Sequence, residues 1–378
     1  MKKIKMEQLW NDHAIKTKDD IEITNEENVS IEVPFDPNLI KIRNHPFTLG
    51  ALIDRIEHNE LNFQTAFQRK EGLWTITQMS RLMESIFLKL PLPAFYFDEK
   101  NENYWEVIDG LQRCSVIKEF VIKKSITLTN LEFLHQFEGL AYDELPRDIH
   151  RRIKTTPLTI YVIERGTPKE VKFNIFKRIN TQGLILTPQE IRHALNQGKP
   201  ADTVASLANL SEFKKATCNK IKAMRMEDRD FTTRFVSFYL IPSEKYQPDL
   251  DSFMTKGMAE IDKLDSEGIK NLKNSFKKSM NLAWEIFKED AFRKRFHEND
   301  RRKPLNKAIF EAISVSFAKL SIEQREKLRS KAGIFRTKFI ELNNSDRFYK
   351  AISSGTGQKE NVNIRFKEIQ RIINETLE

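Results

Sequence analysis

The chain has 378 residues, of which 39% are hydrophobic and 31% are charged, and its formal net charge is +9. This length and composition suit a protein of two domains, each able to build its own core, and exclude a low-complexity chain. The sequence has no run of about 18 apolar residues and no secretory signal, and its two cysteines, Cys114 and Cys218, suit a reducing compartment. We therefore expect a cytoplasmic protein that makes no contact with a membrane.

The first 34 residues are polar and acidic, and we expect them to form a mobile N-terminal arm or an edge element. Two helices should follow, the first capped by Thr48 and the second by Thr77. Their predicted apolar faces carry Leu49, Leu52, Ile53 and Ile56 in the first helix, and Met79, Leu82, Met83 and Ile86 in the second. Pro91 and Pro93 should end the second helix and open a strand.

Short strands and helices then alternate up to about residue 200. The predicted elements are strands at 94–97, 105–108 and 158–163, a helix after Gly110, and a helix over 169–178. Thr187, Pro188 and Glu190 carry the capping signature of a further helix. Beyond about residue 200 the pattern is almost wholly helical, and its phenylalanines recur at the spacing of a buried helix face. The expected fold class is α+β, a small α/β domain followed by an all-helical C-terminal domain.

The turn Asp109–Gly110 is the most informative stretch. It links an apolar strand to a predicted helix, and the free N–H groups and dipole of a helix start favour an anion. Gly110 permits a ligand to approach the backbone closely, and the planar guanidinium of Arg113 suits phosphate oxygens. The plainer alternative is an ordinary turn in which the aspartate caps the helix and the arginine forms a surface ion pair.

The turn lies among other motifs of one family. In chain order these are Phe67-Gln68-Arg69 with Trp74, Arg81–Ile86 with Pro91-Leu92-Pro93, Ile108–Arg113, and Phe176–Gly183 with Leu186–Arg192. Together they resemble the DGQQR domain of the GmrSD type over roughly residues 35–200. The resemblance implies a ParB/sulfiredoxin-like fold for this domain. We expect residues 1–34 to be a polar arm and residues 201–378 to be a separate helical domain.

The resemblance also implies a function, because characterised relatives act in bacterial defence against phage DNA and hydrolyse nucleoside triphosphates at this turn. Asp109 would position the attacking water or a divalent ion, Gln112 would orient a phosphate oxygen or water, and Arg113 would neutralise charge on the phosphoryl group. The residues expected to bind the nucleotide are Gln68, Arg69, Gly110, Arg178 and Asn180.

Two of these assignments have an alternative, and the metal needs no site of its own. Arg178 and Asn180 equally fit the C-terminus of a helix, where Asn or Gly adopts the left-handed conformation. The triphosphate would arrive with Mg²⁺, so we expect no metal site made of protein ligands.

Two features depart from the family pattern. Leu111 stands where the family has its first glutamine, and an apolar side chain there can pack inward. The HNH-type nuclease domain of DNA-cutting relatives is missing, since the seven histidines show neither its pattern nor the spacing of metal ligands. Cutting of DNA would therefore need a partner protein, such as a nuclease encoded nearby, or a site that the sequence does not reveal.

Cys114 follows Arg113 and raises the question of redox chemistry, because a helix N-terminus beside an arginine lowers the pKa of a thiol. In sulfiredoxin, however, the reactive cysteine precedes the arginine. A small buried residue on the inner face of the helix explains Cys114 better.

Three basic clusters are candidates for phosphate contact, at 147–154, 214–222 and 293–303. The third is the densest and is our first candidate for binding DNA, through Arg293, Lys294, Arg295, Arg301, Arg302 and Lys303. Acidic residues interrupt most of the clusters, so a solvated helix face is the alternative interpretation of each.

The expected function is a nucleoside-triphosphate-binding and hydrolysing component of an anti-phage or DNA-restriction system, which couples the nucleotide to DNA recognition. A non-catalytic DNA- or protein-binding module on the same fold, or a nuclease that acts with a partner, is the alternative. Retention of the polar set favours turnover, namely Asp109, Gln112, Arg113, Gln68 and Arg69. Leu111 and the missing nuclease domain favour a binding module. DNA is the expected partner, and a homo-oligomer is left open.

Overall fold

The computed structural model describes residues 17–18, 20–22, 39–63, 74–179 and 187–378. The chain divides into two compact units. One unit, here called the α/β unit, spans residues 35–195. The other, here called the helical unit, combines residues 1–34 with residues 196–378. In the part of the chain that is described, no helix is long and apolar enough to cross a membrane.

A mixed sheet forms the centre of the α/β unit. The described strands are β1 (Thr17–Lys18), β2 (Ile21–Glu22), β3 (Ile42–Thr48), β4 (Leu61–Asn62), β5 (Phe95–Asn101), β6 (Tyr104–Asp109) and β7 (Pro157–Ile163). The last five form one sheet in the order β3-β7-β5-β6-β4. Strand β5 pairs antiparallel with β6 and parallel with β7, while β3 is antiparallel to β7 and β4 is parallel to β6.

Helices pack against this sheet. Those of the α/β unit are α1 (Leu49–Glu57), α2 (Ile76–Phe87), α3 (Leu111–Ile117), α4 (Arg147–Thr155), α5 (Lys169–Ile179) and α6 (Pro188–Leu195). The main core contains alternate residues of the strands, such as Phe95, Phe97 and Val107, together with apolar residues of α1 to α4. A smaller cluster joins Ile163 of β7 to residues of α5 and α6.

The helix starts show which capping predictions were correct. Thr48 accepts a hydrogen bond from the Ala51 N–H (3.3 Å), which confirms the cap of α1. The predicted cap of α2 at Thr77 is wrong, because α2 begins two residues earlier with Thr75 and Gln78 in a capping box. At α6, Thr187 N–H donates to the Glu190 carboxylate (2.7 Å) and Glu190 N–H donates to the Thr187 hydroxyl (3.2 Å), as the sequence predicted.

The helical unit consists of the N-terminal strand pair and ten α-helices among its described residues. These are α7 (Lys199–Ala208), α8 (Ser211–Ala216), α9 (Glu227–Leu240), α10 (Leu250–Ile261), α11 (Ser266–Phe287), α12 (Lys307–Ala318), α13 (Ile322–Ser330), α14 (Ala332–Asn343), α15 (Asp346–Ser353) and α16 (Lys359–Leu377). Phe231, Phe235 and Phe238 of α9 are fully buried in its core, which confirms their assignment from spacing. An α/β unit and a helical C-terminal region confirm the α+β fold class.

Buried ions hold parts of the helical unit together. The Glu311 carboxylate of α12 is fully buried and pairs with Arg234 of α9 and Arg365 of α16, each at 2.5 Å. Strand β2 also packs into this unit, because Glu22 N–H donates to the Leu305 carbonyl (2.8 Å) and Ile21 is only 3% exposed. Removal of either partner from such a pair would leave a buried charge uncompensated.

Candidate functional site

Strand β6 meets helix α3 at Gly110. This residue has φ +98° and is the N-cap of α3, so its left-handed backbone turns the chain from strand into helix. The Cys114 N–H donates to the Gly110 carbonyl (2.8 Å) and closes the first turn of the helix. Because glycine has no side chain, the first N–H groups of α3 have no side-chain cap from this residue. The predicted strand–turn–helix junction is therefore present.

A β-bulge sets the direction of Asp109. Phe97 of β5 pairs with Val107, but Tyr96 pairs with Asp109, so Ile108 is an extra residue in β6. A bulge of this kind bends the strand and re-aims the side chains that follow it. Asp109 thus lies opposite Tyr96, at a position that regular alternation would have given to Ile108.

Close packing explains why residue 110 is glycine. A Cβ atom added there would lie 2.5 Å from Cδ1 of Phe95 and 3.3 Å from Nη2 of Arg113. The Phe95 ring is fully buried in the main core and has little room to move. Both the positive φ and the contact with Phe95 exclude a side chain at this turn.

The Arg113 guanidinium packs on the Phe95 ring and holds the turn in place through hydrogen bonds. It lies 4.2 Å from the centroid of the Phe95 ring, and Arg113 is only 8% exposed. Its Nη1 donates to the Pro93 carbonyl, and its Nη2 donates to the Ala94 carbonyl (3.1 Å) and to Oδ2 of Asp109 (2.8 Å). The ion pair with Asp109 is therefore mostly buried, so the alternative interpretation of a surface ion pair is wrong.

Burial dominates the electrostatics of this pair. Desolvation raises the pKa of the Asp109 carboxyl above its usual value, although Arg113 and the Gly110 N–H act in the opposite direction. Desolvation also lowers the pKa of the Arg113 guanidinium, against the pull of Asp109. A carboxylate with a raised pKa at a turn is a candidate for accepting a proton in a reaction.

The remaining predicted nucleotide-site residues have different positions. The Gln112 side chain accepts a hydrogen bond from the Trp74 N–H (3.4 Å), which ties α3 to the residues before α2. Gln68, Arg69 and Asn180 lie outside the described residues. Arg178 is exposed in the last turn of α5, and it forms no hydrogen bond or ion pair with the turn as far as the described residues show.

Two tyrosines that sequence analysis missed lie beside Asp109. Tyr96 and Tyr161 occupy paired positions on β5 and β7, and their rings stack with centroids 5.1 Å apart and an angle of 20°. Burial, Tyr161 and Asp109 together raise the pKa of the Tyr96 hydroxyl. Both side chains are half-buried, so they present a flat aromatic surface near the turn. Only the strand register brings them together, and no spacing in the sequence signals it.

The basic cluster at 293–303 is largely structural, which corrects the prediction of a DNA site there. Arg293 and Lys294 are each only 1% exposed. Lys294 donates to the Glu22 carboxylate (2.6 Å) and to the Ser353 hydroxyl (2.6 Å), while Arg293 donates to the carbonyls of Glu289 (3.1 Å) and Lys303. Buried cations with these partners cannot reach the phosphates of a nucleic acid.

The other four basic residues of that cluster differ in their exposure and in their partners. Arg295 is bound by Asp290 (2.6 Å) and by the carbonyls of Asp300 (3.2 Å) and Glu298. Arg302 is exposed and pairs with Glu289 (3.2 Å), Lys303 lies 5.9 Å from the centroid of the Phe296 ring, and Arg301 is exposed. The acidic residues between the basic ones were the sequence signal that these cations have partners within the fold.

Cys114 lies inside the core and cannot act as a nucleophile in this state. It is fully buried, and burial raises the pKa of its thiol to about 12. The choice of a small core residue over a redox group was therefore correct. Among the described residues, no three His, Cys, Asp or Glu side chains lie close enough together to hold a metal ion.

Comparisons with known proteins agree with the motifs around the turn. Residues 49–196 match the family model described as "GmrSD restriction endonuclease, N-terminal domain". This part of the chain is therefore a domain of the GmrSD type, as the sequence motifs predicted. No curated protein matches the chain.

One solved structure is similar to the chain, "Structure of the C2221 form of Pnob8-like ParB-N domain", with 10% sequence identity. The alignment covers 88% of this chain and 98% of that chain, with a TM-score of 0.22. A score this low carries no argument about fold or function.

Proposed function

We propose that the turn Asp109–Arg113 binds the phosphates of a nucleoside triphosphate and hydrolyses it, as part of a bacterial restriction or anti-phage system that acts on DNA. The family model takes its name from a restriction endonuclease, which supports the restriction context. The observation that carries the nucleotide proposal is the Asp109 carboxyl, held by Arg113 beside the uncapped start of α3 with a raised pKa.

The geometry suits a phosphate at the start of α3. The first N–H groups of a helix point along its axis, and with the helix dipole they attract an anion. The left-handed backbone of Gly110 turns the chain from β6 into α3, and its missing Cβ leaves room for the Phe95 ring. Gln112 lies in the first turn of α3 and supplies an amide that can orient a phosphate oxygen or a water.

Asp109 and Arg113 have different roles in this proposal. A carboxylate whose pKa is raised by burial is a stronger base than an exposed one, so Asp109 would accept a proton from the attacking water. Arg113 fixes the position of Asp109 and adds positive charge below the phosphates, but its donors already serve Pro93, Ala94 and Asp109. Arg113 is thus a positioning residue more than a phosphate ligand.

Magnesium would come with the nucleotide rather than from the protein. When bound, Mg²⁺ neutralises charge on the phosphate oxygens. Asp109 is a single carboxylate already paired with Arg113, so in this proposal it would reach the metal only through the bound nucleotide or a water.

A second function is favoured by one specific observation. The Arg113 guanidinium makes two hydrogen bonds to main-chain carbonyls, which is what an arginine with a purely structural role would do. On this alternative the α/β unit is a binding module that has kept the fold of the turn but hydrolyses nothing.

Thermal unfolding with added nucleotides tests whether the turn binds phosphate. A ligand at 100 times its dissociation constant stabilises the folded state by about 2.7 kcal/mol. We expect a rise in the unfolding temperature with at least one of ATP, GTP, CTP and UTP plus Mg²⁺, and none with the matching nucleoside. The absence of a rise with all four would refute the nucleotide site.

A variant that adds a negative charge at residue 112 tests whether the nucleotide binds at the start of α3. Gln112→Glu keeps the shape of the side chain and favours the dipole of α3, but it repels phosphate. We expect Gln112→Glu to fold normally and to lose the nucleotide-induced shift. Gln136→Glu, an equal charge change at an exposed position, should keep the shift.

A further inference from the structure

Helix α11 has an outer face made almost entirely of lysine and asparagine. The exposed residues along this face are Lys270, Asn271, Lys273, Asn274, Lys277, Lys278 and Asn281. Their spacing places them on one side of a helix, and together they span about 16 Å along its axis. No acidic residue stands between Glu267 and Glu285, so the face carries four positive charges and no negative one of its own.

The opposite side of α11 is buried, and this burial keeps the lysine and asparagine face exposed to solvent. Leu272, Phe276, Met280 and Ala283 are each no more than 1% exposed and belong to the core of the helical unit. Rotation of the helix would expose this apolar surface, at a cost of about 25 cal/mol for each Å². The lysines therefore cannot turn inward to find partners.

Three of the lysines form no ion pair among the described residues. Lys277 pairs with Glu212 at 2.8 Å. Within the described part of the chain, no carboxylate forms an ion pair with Lys270, Lys273 or Lys278. Elsewhere in the unit, Arg329 pairs with Glu326 and with Glu285 near the end of α11, and Arg371 pairs with Glu368 and Glu375.

The neighbouring helix α8 extends the positive surface. Lys214 and Lys215 are exposed on α8, and the Lys215 ammonium lies 5.1 Å from the centroid of the Trp284 ring of α11. We call the combined surface the α11 basic face and define it by Lys214, Lys215, Lys270, Lys273, Lys277 and Lys278. Glu212 is the acidic residue that pairs within it, and its side chain is only 15% exposed.

We propose that the α11 basic face binds the phosphate backbone of double-stranded DNA. Duplex DNA carries one negative charge for about every 1.7 Å of its axis, so a row of lysines on one helix can contact several phosphates. Asparagine side chains beside the lysines add hydrogen-bond donors and acceptors that suit phosphates and base edges. The face and the duplex are complementary in charge, because three of its lysines form no ion pair within the part of the chain that is described.

The composition of the face separates DNA from a membrane surface as the partner. Helices that lie on membranes combine a basic face with large apolar residues that enter the lipid. The exposed residues of α11 between Lys270 and Asn281 are lysine and asparagine, and its apolar residues are buried in the core or packed against it. The face therefore fits a polyanion and does not fit a lipid surface.

This inference rests on the DNA part of the proposed function and names the surface that carries it. The surface belongs to the helical unit and lies outside residues 49–196, which match the family model. Binding to DNA is measured without nucleotide, so its outcome is independent of whether Asp109–Arg113 hydrolyses a triphosphate.

Replacement of the three unpaired lysines tests the proposal. The variant Lys270→Gln/Lys273→Gln/Lys278→Gln removes three charges and keeps good helix formers. The control Lys350→Gln/Lys359→Gln/Lys367→Gln removes three exposed charges from α15 and α16. Binding to a fluorescent DNA duplex of about 25 base pairs is measured by anisotropy over a range of salt concentrations.

We expect the α11 variant to bind DNA at least about tenfold more weakly at low salt. Each lysine that contacts a phosphate releases counterions from the DNA, and the variant loses three such lysines. The slope of log affinity against log salt should fall by roughly 0.9 for each lost contact, or about 2.7 in total. The control variant should bind like the wild type, and both variants should unfold at the wild-type urea midpoint. Equal losses in the two variants, no loss in either, or a wild type that binds only anionic vesicles or RNA would overturn the proposal.

Discussion

The Arg113 guanidinium donates across 2.8 Å to the carboxylate of Asp109, four residues earlier in the chain. The same guanidinium donates to the carbonyls of Pro93 and Ala94. The pair thus joins the start of β5, the end of β6 and the first turn of α3. Burial raises the pKa of Asp109 even with the cation in contact, so the two members of the pair differ in what they contribute to stability.

Replacement of each member should have unequal effects. Arg113→Gln removes two main-chain hydrogen bonds and leaves a half-buried carboxylate unpaired, so we expect a loss of about 3 kcal/mol in the free energy of unfolding. Asp109→Asn removes a charge that burial disfavours and keeps an amide oxygen that can accept from Arg113. The guanidinium also keeps its two main-chain acceptors, so we expect a change within about 1 kcal/mol. The double variant should recover roughly 1 kcal/mol relative to Arg113→Gln. Urea denaturation of the three variants would show equal losses if this assignment were wrong.

The raised pKa of Asp109 predicts the sign of a pH dependence. The folded state binds the Asp109 proton more tightly than the unfolded chain, so stability from this group is present at low pH. It is lost as the pH rises from the unfolded value of about 3.9 through the higher folded value. The free energy of unfolding of the wild type minus that of Asp109→Asn should therefore decrease with pH across this window. Urea titrations at several pH values measure the difference, and an increase with pH would contradict the cause assigned here.

The turn should not accept a side chain at residue 110. Gly110→Ala forces a residue with φ +98° to carry a Cβ that would lie 2.5 Å from the Phe95 ring, and we expect a loss of about 3 kcal/mol. Gly139→Ala is the matched control, because Gly139 has φ +81° but no atom within 4 Å of the added Cβ. It should lose only about 1 kcal/mol, the cost of the left-handed backbone alone. Thermal or urea unfolding measures both, and equal losses would remove Phe95 from the explanation.

The buried ion pair between Lys294 and Glu22 should contribute to the stability of the helical unit. Lys294→Met leaves the Glu22 carboxylate buried without its cation, and we expect the helical unit to lose about 3 kcal/mol. Arg301→Gln changes an exposed residue of the same cluster and should stay within about 0.5 kcal/mol of the wild type. Guanidinium unfolding of the two variants distinguishes them. If Lys294→Met were as stable as the wild type, the ion pair with Glu22 would not hold β2 in place.

Features encoded by neighbouring residues were predictable from the sequence. The cap at Thr48, the capping box of Thr187 and Glu190, and the turn at Gly110 each depend on residues within four positions of one another. The wrong cap at Thr77 shows the limit of such patterns, although Gln78 three residues after Thr75 was a signal for the correct start of α2.

Features that depend on distant pairing were not predictable. Arg113 meets the Pro93 and Ala94 carbonyls because β5 and β6 pair, and the bulge at Ile108 appears only in their register. Lys294 binds Glu22, which lies 272 positions away in the chain. The sequence alone therefore led to the prediction that Lys294 is an exposed cation. A single sequence records which residues carry charge but not which of them the fold brings together.

Release of inorganic phosphate from ATP, GTP, CTP and UTP, with and without duplex DNA, tests the central claim most directly. The comparison is between the wild type and Asp109→Asn, because that variant is expected to keep the fold, with Asp148→Asn on the exposed side of α4 as the control. We predict release by the wild type and the control with at least one triphosphate, and a loss of about 100-fold or more in Asp109→Asn. No release by the wild type in any combination, or unchanged release by Asp109→Asn, would contradict hydrolysis at this turn.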